Sequence, residues 1–171
     1  MSDRAIIQRL LSLKVRDVMS MPVVHVSAHE SMEAAAAAML KHSISGAPVI
    51  DEQGSFVGML SAIDFMKRDA RHRKDAEELD VVTHKVVHHG SNNPLELGEV
   101  NDTMVAANMT SAVQTISADT PLLQAAKELC ALHVHRLPVL DKDGHPLGMI
   151  GSLDIVSALL NAVDEPAKGS P

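Results

Sequence analysis

Two short stretches of the chain combine the end of a strand, the start of a helix and a carboxylate at fixed spacing. They read GMLSAID and GMIGSLD, and they end on Asp64 and Asp154. Where a strand gives way to a helix, free backbone N–H donors and an acidic acceptor converge, and a carboxylate there can accept both hydroxyls of a ribose. Ser61 and Asp64 also have the Ser-x-x-Asp spacing of an ordinary helix start, in which they satisfy backbone N–H groups and the helix dipole. Both interpretations require the same geometry, so the stretches alone leave both open.

The two stretches belong to a tandem repeat. A shift of 90 residues, the distance from Asp64 to Asp154, aligns the two halves of the chain without a gap. The superposed pairs include Val15 with Val105, Met19 with Met109, Ser27 with Ser117, Pro48 with Pro138, Asp51 with Asp141, Gly54 with Gly144 and Gly58 with Gly148. So many matches on one diagonal indicate an internal duplication.

The residue pattern of each copy predicts the same order of elements, which is strand, helix, strand, strand, helix. The first strand is predicted over VVHVS and AVQTIS, and the later pair over APVID and FVGMLS or LPVLD and PLGMIG. Thr120 and Pro121 predict the N-cap and first turn of a helix in the second copy, and the first copy's helix begins near residues 27–31. One copy of about 55 residues is too small to bury both faces of its sheet. The predicted fold class is therefore α+β, with two pseudo-symmetric β-α-β-β-α repeats packed through their sheets.

The predicted organisation follows from the repeat. It consists of an N-terminal amphipathic helix over 1–14, repeat 1 over 15–70, a helical extension and crossover linker over 71–102, repeat 2 over 103–163 and a disordered tail over 164–171. The amphipathic helix is expected to pack on the module or across a dimer interface.

Composition narrows the classes of ligand and partner. The net charge of −7 argues against a general nucleic-acid binder, whose affinity depends on many Lys and Arg opposite phosphates. Aromatic residues make up 1% of the chain, so aliphatic side chains would have to hold a planar ligand. The single cysteine, Cys130, fits a reducing compartment, and the apolar run near the start is too short for a signal peptide or membrane span. We therefore expect a cytoplasmic protein that binds neither nucleic acid nor membrane.

The ordered set of motifs resembles a tandem CBS-domain pair, also called a Bateman module. Each copy has Val-x-x-x-Met at its start, Pro-Val-x-Asp in its middle and the Gly-to-Asp stretch at its end, and the resemblance covers residues 14–163. FVGMLSAIDF and VHRLPVLD are similar to the nucleotide-sensing repeats of the AMP-activated protein kinase gamma subunit. The resemblance implies a non-catalytic regulatory module that binds AMP, ADP or ATP, requires no cofactor, pairs into a disc-like homodimer and acts on an unidentified target protein.

Carried over residue by residue, the resemblance implies one intact site that uses both repeats. Ser61 and Asp64 match ribose-binding positions, and His135 and Arg136 match the basic pair that meets phosphate. The positions that match the adenine pocket are Met59, Val113, Val134 and Pro138. Arg suits the second role because its planar fork fits phosphate oxygens.

The pseudo-symmetric second site departs from the family pattern. Gly151 stands where the hydroxyl of Ser61 should be, and the positions matching His135 and Arg136 are the uncharged Ser45 and Gly46. The sequence therefore predicts a weaker second site formed by Val23, Ile44, Pro48 and Asp154. We expect that site to be empty, weak or selective for an uncharged ligand.

Other functions compete with a nucleotide sensor. One alternative is a structural oligomerisation module whose sites are vestigial, and another is a sensor of S-adenosylmethionine or NAD(H). His84, His88 and His89 form a cluster, but no neighbouring Cys or carboxylate completes a ligand set, so we expect no metal. No nucleophile and base have convincing spacing, so an enzyme is not expected. Cys130 lies on a helix of small residues and is predicted to be a buried apolar thiol.

Overall fold

A computed structural model describes residues 3–72 and 103–164 of the chain. A helix, α1 (Asp3–Ser12), and a short 3-10 helix, Val15–Asp17, precede the first strand. The elements of that repeat are β1 (Val26–Ser27), α2 (Met32–Lys41), β2 (Gly46–Ile50), β3 (Phe56–Ser61) and α3 (Ala62–His72). A one-turn helix, α4 (Val105–Asn108), precedes the second repeat, which consists of β4 (Ile116–Ser117), α5 (Leu122–Ala131), β5 (Arg136–Leu140), β6 (Pro146–Gly151) and α6 (Ser152–Asp164).

The two repeats form two small sheets of the same topology. In each sheet the short first strand pairs in parallel with the second, and the second pairs antiparallel with the third. The strand orders are β1-β2-β3 and β4-β5-β6. This arrangement confirms the predicted α+β fold class.

The first strand of each repeat is shorter than the sequence predicts. VVHVS and AVQTIS each contribute only two paired residues, which lie beside the ends of β2 and β5. The residues before them make a different contact. Ser20 bonds to Met149 of the other repeat, and Thr110 bonds to Met59 in the same way. The local pattern of apolar residues cannot show which residues pair within their own repeat and which pair with the other one, because this choice depends on the nearest strand in space.

The segment leading into each repeat packs in the core of the other repeat. We call residues 14–24 and 104–114 the leading segments. Val15, on the first, is fully buried in the cluster formed by residues of the second sheet and its helices. Val105, on the second, is fully buried in the cluster of the first sheet. Each hydrophobic core therefore contains side chains from both repeats.

Two glycines allow the leading segments to approach the sheets. A Cβ atom added to Gly58 would lie 2.6 Å from the carbonyl oxygen of Thr110, and one added to Gly148 would lie 2.8 Å from that of Ser20. Real Cβ atoms essentially never come so close to backbone atoms. The glycine that opens each repeated stretch is thus explained by the crossing of the leading segments.

Two predictions about the helices, the N-cap of α5 and the burial of Cys130, differ from the structure. Ser31 is the N-cap of α2, and its hydroxyl accepts a hydrogen bond from the Ala34 N–H at 3.1 Å. The N-cap of α5 is Pro121 instead of the predicted Thr120, whose carbonyl accepts a bond from the Val15 N–H. Cys130 is exposed, so the prediction of a buried thiol is wrong. Its counterpart Leu40 is 79% exposed, which shows that this helix position faces outward in both repeats.

Helix α1 packs against α5 and α6 of its own chain. None of the helices within 3–72 and 103–164 combines the length and apolarity that crossing a bilayer requires. The linker predicted over 71–102 lies almost wholly outside the described residues, and so do the histidine cluster and nearly all of the predicted tail.

Candidate functional site

Asp154, in the first turn of α6, has an anchored carboxylate that keeps acceptor capacity. Its Oδ2 accepts a hydrogen bond from the Gly151 N–H at 2.7 Å. Its Oδ1 accepts one from the Ser20 hydroxyl at 3.0 Å, so a residue of the first leading segment reaches the second repeat. The side chain is only half-buried. Because each carboxylate oxygen can accept about two bonds, Asp154 can still receive donors from a ligand.

The carboxylate lies on a cavity of about 620 Å³ between the two repeats. This volume falls within the range of small-molecule sites, roughly 300–1,000 Å³. The cavity unites all four residues predicted for the second site, which are Val23, Ile44, Pro48 and Asp154. Further lining residues are Ser20, Pro22, Val24, Gly46, His135, Arg136, Met149, Gly151, Ser152 and Leu153. The lining thus combines aliphatic side chains and prolines with polar and charged groups.

His135 and Arg136 line this same cavity, whereas the sequence assigned them to the site of Asp64. The strand ladder gives the reason. Arg136 begins β5 directly opposite Gly151, the last residue of β6, and Asp154 follows one turn later. No carboxylate of the described residues forms an ion pair with either basic side chain. The strand ladder therefore brings the two basic residues to the cavity of Asp154, whereas the sequence grouped them with Asp64.

The carboxylate of Asp64 is more deeply held. Its Oδ2 accepts bonds from the backbone N–H of Ser61 at 2.8 Å and from the Ser61 hydroxyl at 2.6 Å. The Thr110 hydroxyl lies 3.4 Å from Oδ1, and Asp64 as a whole residue is only 3% exposed. The Lys67 ammonium is 4.0 Å away. Oδ2 of Asp64 is thus saturated, and the burial of the residue limits the access of a ligand hydroxyl to Oδ1.

The four residues predicted for the adenine pocket of Asp64 do not all lie at one site in the structure. Met59 pairs with Thr110 and is therefore close to the Asp64 carboxylate. Val113 follows on the same leading segment and is half-buried. Val134 lines a separate groove between α5 and α6, together with His135. Pro138 is buried opposite Met149 in the second sheet.

Sequence reasoning missed two hydroxyl residues at the carboxylates. Ser20 and Thr110 each bond to the aspartate of the other repeat's helix. Both follow the methionine of the Val-x-x-x-Met motif, and the 90-residue shift superposes one on the other. A hydroxyl kept at the same position of both copies was the signal that could have identified them.

One group of possible metal ligands occurs among the described residues. Carboxylate and imidazole atoms of Asp141, Asp143 and His145 lie within 4.8 Å of one another. Asp141, however, accepts bonds from the backbone N–H groups of the other two, and the bond from the N–H of His145 is the main cause that lowers the pKa of Asp141. Asp51 makes the equivalent bonds in the turn of the first repeat. We therefore assign this group to the structure of the turn.

Comparisons with known proteins agree with the fold and with the duplication. The sequence profile of the CBS domain matches residues 15–71 and 100–161, which together form more than half of the chain. A protein of Methanocaldococcus jannaschii, MJ1426, is 26% identical over 153 residues, which cover 85% of this chain and 90% of that protein.

Solved structures of CBS-domain pairs superpose on the chain. CBSX2, a protein of Arabidopsis thaliana solved in complex with AMP, has a TM-score of 0.67 and 24% identity over 88% of this chain and 98% of its own. The CBS domain pair of protein MJ0100, in complex with 5′-methylthioadenosine and S-adenosyl-L-methionine, has a TM-score of 0.62 and 23% identity over 85% of this chain and 98% of its own. At identities of 23–24%, the structural similarity establishes the fold and no more.

Proposed function

The chain belongs to the CBS domain family, and from that premise we propose that it is a regulatory module that binds an adenosine-containing ligand between its two repeats. AMP, ADP or ATP are the proposed ligands, with S-adenosylmethionine and NAD(H) as alternatives of the same class. Relatives of the same fold were solved with AMP and with S-adenosyl-L-methionine, which supports this class. The module would act without chemistry of its own, on a target that reads its state.

The observation that carries the proposal is the arrangement of groups in the Asp154 cavity. A carboxylate with spare acceptor capacity shares this cavity with Arg136 and His135, for which the described residues offer no ion-pair partner, and with the apolar side chains of Val23, Ile44 and Pro48. These groups suit the three parts of a nucleotide: Asp154 for the ribose hydroxyls, the basic pair for phosphate and the apolar side chains for the base. We therefore propose the Asp154 cavity as the principal site.

The cleft of Asp64 is proposed as the weaker site, which reverses the order expected from the sequence. Ser61, Thr110 and the Ser61 N–H already bond to Asp64, and the side chain is nearly inaccessible. A ligand there would find Oδ2 saturated and Oδ1 accessible only after the surrounding side chains moved. Met59 and Val113 would be its neighbours in that cleft, with Val134 and Pro138 assigned from the family pattern alone.

Ligand-dependent unfolding tests the proposal. A ligand at 100 times its Kd should stabilise the protein by about 2.7 kcal/mol, which corresponds to an increase in Tm of roughly 5–10 °C for a chain of this size. We expect such an increase with at least one of AMP, ADP, ATP, NADH and S-adenosylmethionine. Asp154→Asn should lower the affinity by about tenfold to a hundredfold, because it weakens bonds to a charged acceptor.

Asp64→Asn is the matched control, with each shift measured against the variant's own Tm. It should keep most of the ligand-induced shift, since the Asp154 cavity is unchanged. The proposal is wrong if no ligand shifts the Tm of the natural protein. The choice of principal site is wrong if Asp64→Asn removes the shift and Asp154→Asn keeps it.

One observation favours a second candidate function, a structural association module. Apolar side chains lie exposed on α3 and α6, including Ile63, Met66 and Leu153, the last of which is 76% exposed. A homodimer formed through these helices would cover them. A constitutive scaffold should show the same oligomer by light scattering with and without nucleotide, and no ligand-induced increase in Tm.

A further inference from the structure

A second cavity, of about 450 Å³, lies at the opposite end of the second sheet from the Asp154 cavity. It is found where the parallel strands β4 and β5 end, and Ser117, Leu140 and Lys142 are among its lining residues. The Asp154 cavity lies instead at Arg136, the first residue of β5, and the two cavities share no lining residue. The volume of the second cavity also falls within the range of small-molecule sites.

The two repeats differ in the side chains that meet at this end of the sheet. In the first repeat, the imidazole of His29 lies 3.8 Å from the carboxylate of Glu52, so a residue after β1 meets one in the turn after β2. The 90-residue shift superposes these two residues on Asp119 and Lys142, which also carry opposite charges. The second pair is not bridged, and Lys142 has no ion-pair partner among the residues that the structure describes.

The first leading segment explains the difference, because it competes for Asp119. The Lys14 ammonium lies 3.1 Å from Oδ1 of Asp119, and the Arg16 guanidinium pairs with the same oxygen. The equivalent residues of the second leading segment are Met104 and Ala106, which carry no charge. Asp119 is therefore held on the leading segment and does not reach the turn after β5.

This arrangement leaves an excess of positive charge at the cavity. Three cations, Lys14, Arg16 and Lys142, lie at or beside it with two carboxylates, Asp119 and Asp141, so one positive charge is left over. The carboxylate of Asp141 already accepts bonds from backbone N–H groups of its own turn. On a chain with a net charge of −7, the cavity is therefore a local site for an anion.

The remaining lining residues suit the rest of a small organic anion. Leu140 and Leu147 supply apolar surface, and Leu147 is 37% exposed. Thr115 and Ser117 bring hydroxyl groups to the lining. The Ser117 oxygen accepts a bond from the Asp119 N–H at 3.2 Å, so its own proton is available for a ligand. The cavity thus combines cations and hydroxyl donors with an aliphatic surface.

We propose that this cavity is a second ligand site, in which Lys142 and Arg16 bind the carboxylate of a small aliphatic acid. The hydrocarbon part of the acid lies on Leu140 and Leu147. Only one N–H group of the Arg16 guanidinium is needed for Asp119, so the others remain for the ligand. The inference goes beyond the proposed function, because it concerns a different cavity and a ligand without adenosine.

The position of the site gives the module a second input. Arg16 and Ser20 belong to the same leading segment, and the Ser20 hydroxyl donates a hydrogen bond to Asp154. An acid bound by Arg16 therefore contacts the segment that also reaches the Asp154 cavity.

Butyrate and its uncharged analogue butyramide are the probes that test the site. Each is titrated into the ¹⁵N-labelled natural chain at constant ionic strength, and amide NMR signals locate the binding by residue. Butyrate should shift the signals of Ser117, Asp119 and Lys142 in a saturable way, with a Kd of roughly millimolar order, as expected for so small a ligand. Butyramide should bind at least about threefold more weakly, because it carries no charge for the cations to pair with.

Variants of two exposed lysines test the role of the cation. Lys142→Gln should weaken butyrate binding by about threefold to tenfold, between the effect of an exposed ion pair and that of a desolvated charge-assisted bond. Lys127→Gln on α5 is the matched control, because Lys127 is also exposed, lies outside the cavity and loses the same charge. It should change the affinity by less than about twofold. Lys142→Glu gives the turn the charge of Glu52 and should abolish the binding.

Each other outcome overturns the inference. It is wrong if butyrate causes no saturable shift at Ser117, Asp119 and Lys142, or if shifts occur only around the Asp154 cavity. Equal binding of butyramide would refute an anion site, and equal weakening by Lys142→Gln and Lys127→Gln would show a general effect of net charge. None of these results bears on the proposed function, which is tested separately with adenosine ligands.

Discussion

Val15 lies at the start of the first repeat but is fully buried in the hydrophobic core of the second, and its replacement tests this crossing. Val15→Ala removes two methyl groups, each with a transfer free energy of about 0.8 kcal/mol. The cavity left in a packed core adds to this cost, so we expect the free energy of unfolding to fall by about 2–3 kcal/mol. Urea unfolding followed by circular dichroism measures the change.

A double-mutant comparison shows which core Val15 belongs to. Val139 and Val49 are equivalent residues of β5 and β2, and both are fully buried. Val139 lies in the same cluster as Val15, and Val49 lies in the other cluster. Val15→Ala should couple to Val139→Ala by about 0.5 kcal/mol or more and be additive with Val49→Ala within about 0.5 kcal/mol. The opposite pattern would refute the crossing, because it would place Val15 in the core of its own repeat.

Two further predictions concern the leading segments. Gly58→Ala should destabilise the protein by about 1–3 kcal/mol, because its Cβ would meet the Thr110 backbone oxygen at 2.6 Å. Gly46→Ala, whose nearest contact is 3.4 Å, should change stability by less than about 1 kcal/mol in the same urea titration, and equal effects would contradict the packing argument. The hydrogen bond from Lys14 and the charge of Arg16 lower the pKa of Asp119 in the folded protein. The ionised carboxylate of Asp119 therefore stabilises the folded protein fully above the ordinary aspartate pKa of about 3.9. This stabilisation is lost as pH falls through the lowered pKa of the folded state. The Tm difference between the natural chain and Asp119→Asn should therefore be small and constant above roughly pH 5 and shrink towards roughly pH 2, and a difference that grows on acidification would contradict this sign.

The order of the elements could be predicted from the sequence because it depends on local patterns that occur twice. FVGMLS and PLGMIG, for example, are β3 and β6 with the predicted bounds. The first strands could not be predicted, because their length depends on whether residues such as Ser20 pair within the repeat or with Met149 of the other one. The outward orientation of Cys130 was also hidden, since a helix rich in small residues has a weakly defined apolar face.

The residues of the candidate site could be predicted better than their grouping. Alignment of the repeats identifies Asp154, Ile44 and Pro48 as equivalent to Asp64, Val134 and Pro138, but equivalence does not show which residues face the same cleft. That information lies in the strand ladder, which places Arg136 opposite Gly151. The alignment cannot supply it, because it compares residues of the two copies and not residues across one ladder.

The crossing of the leading segments also determines what a ligand can stabilise. Each core takes a buried valine from the segment that leads into the other repeat, so neither repeat has a complete core by itself. One repeat of about 55 residues is already near the lower limit for independent folding. The Asp154 cavity repeats this pattern, because Ser20, Val23 and Ile44 come from the first half and Arg136 and Gly151 come from the second. The cavity exists only when both repeats are folded and docked, so the binding free energy of its ligand acts on the stability of the whole pair.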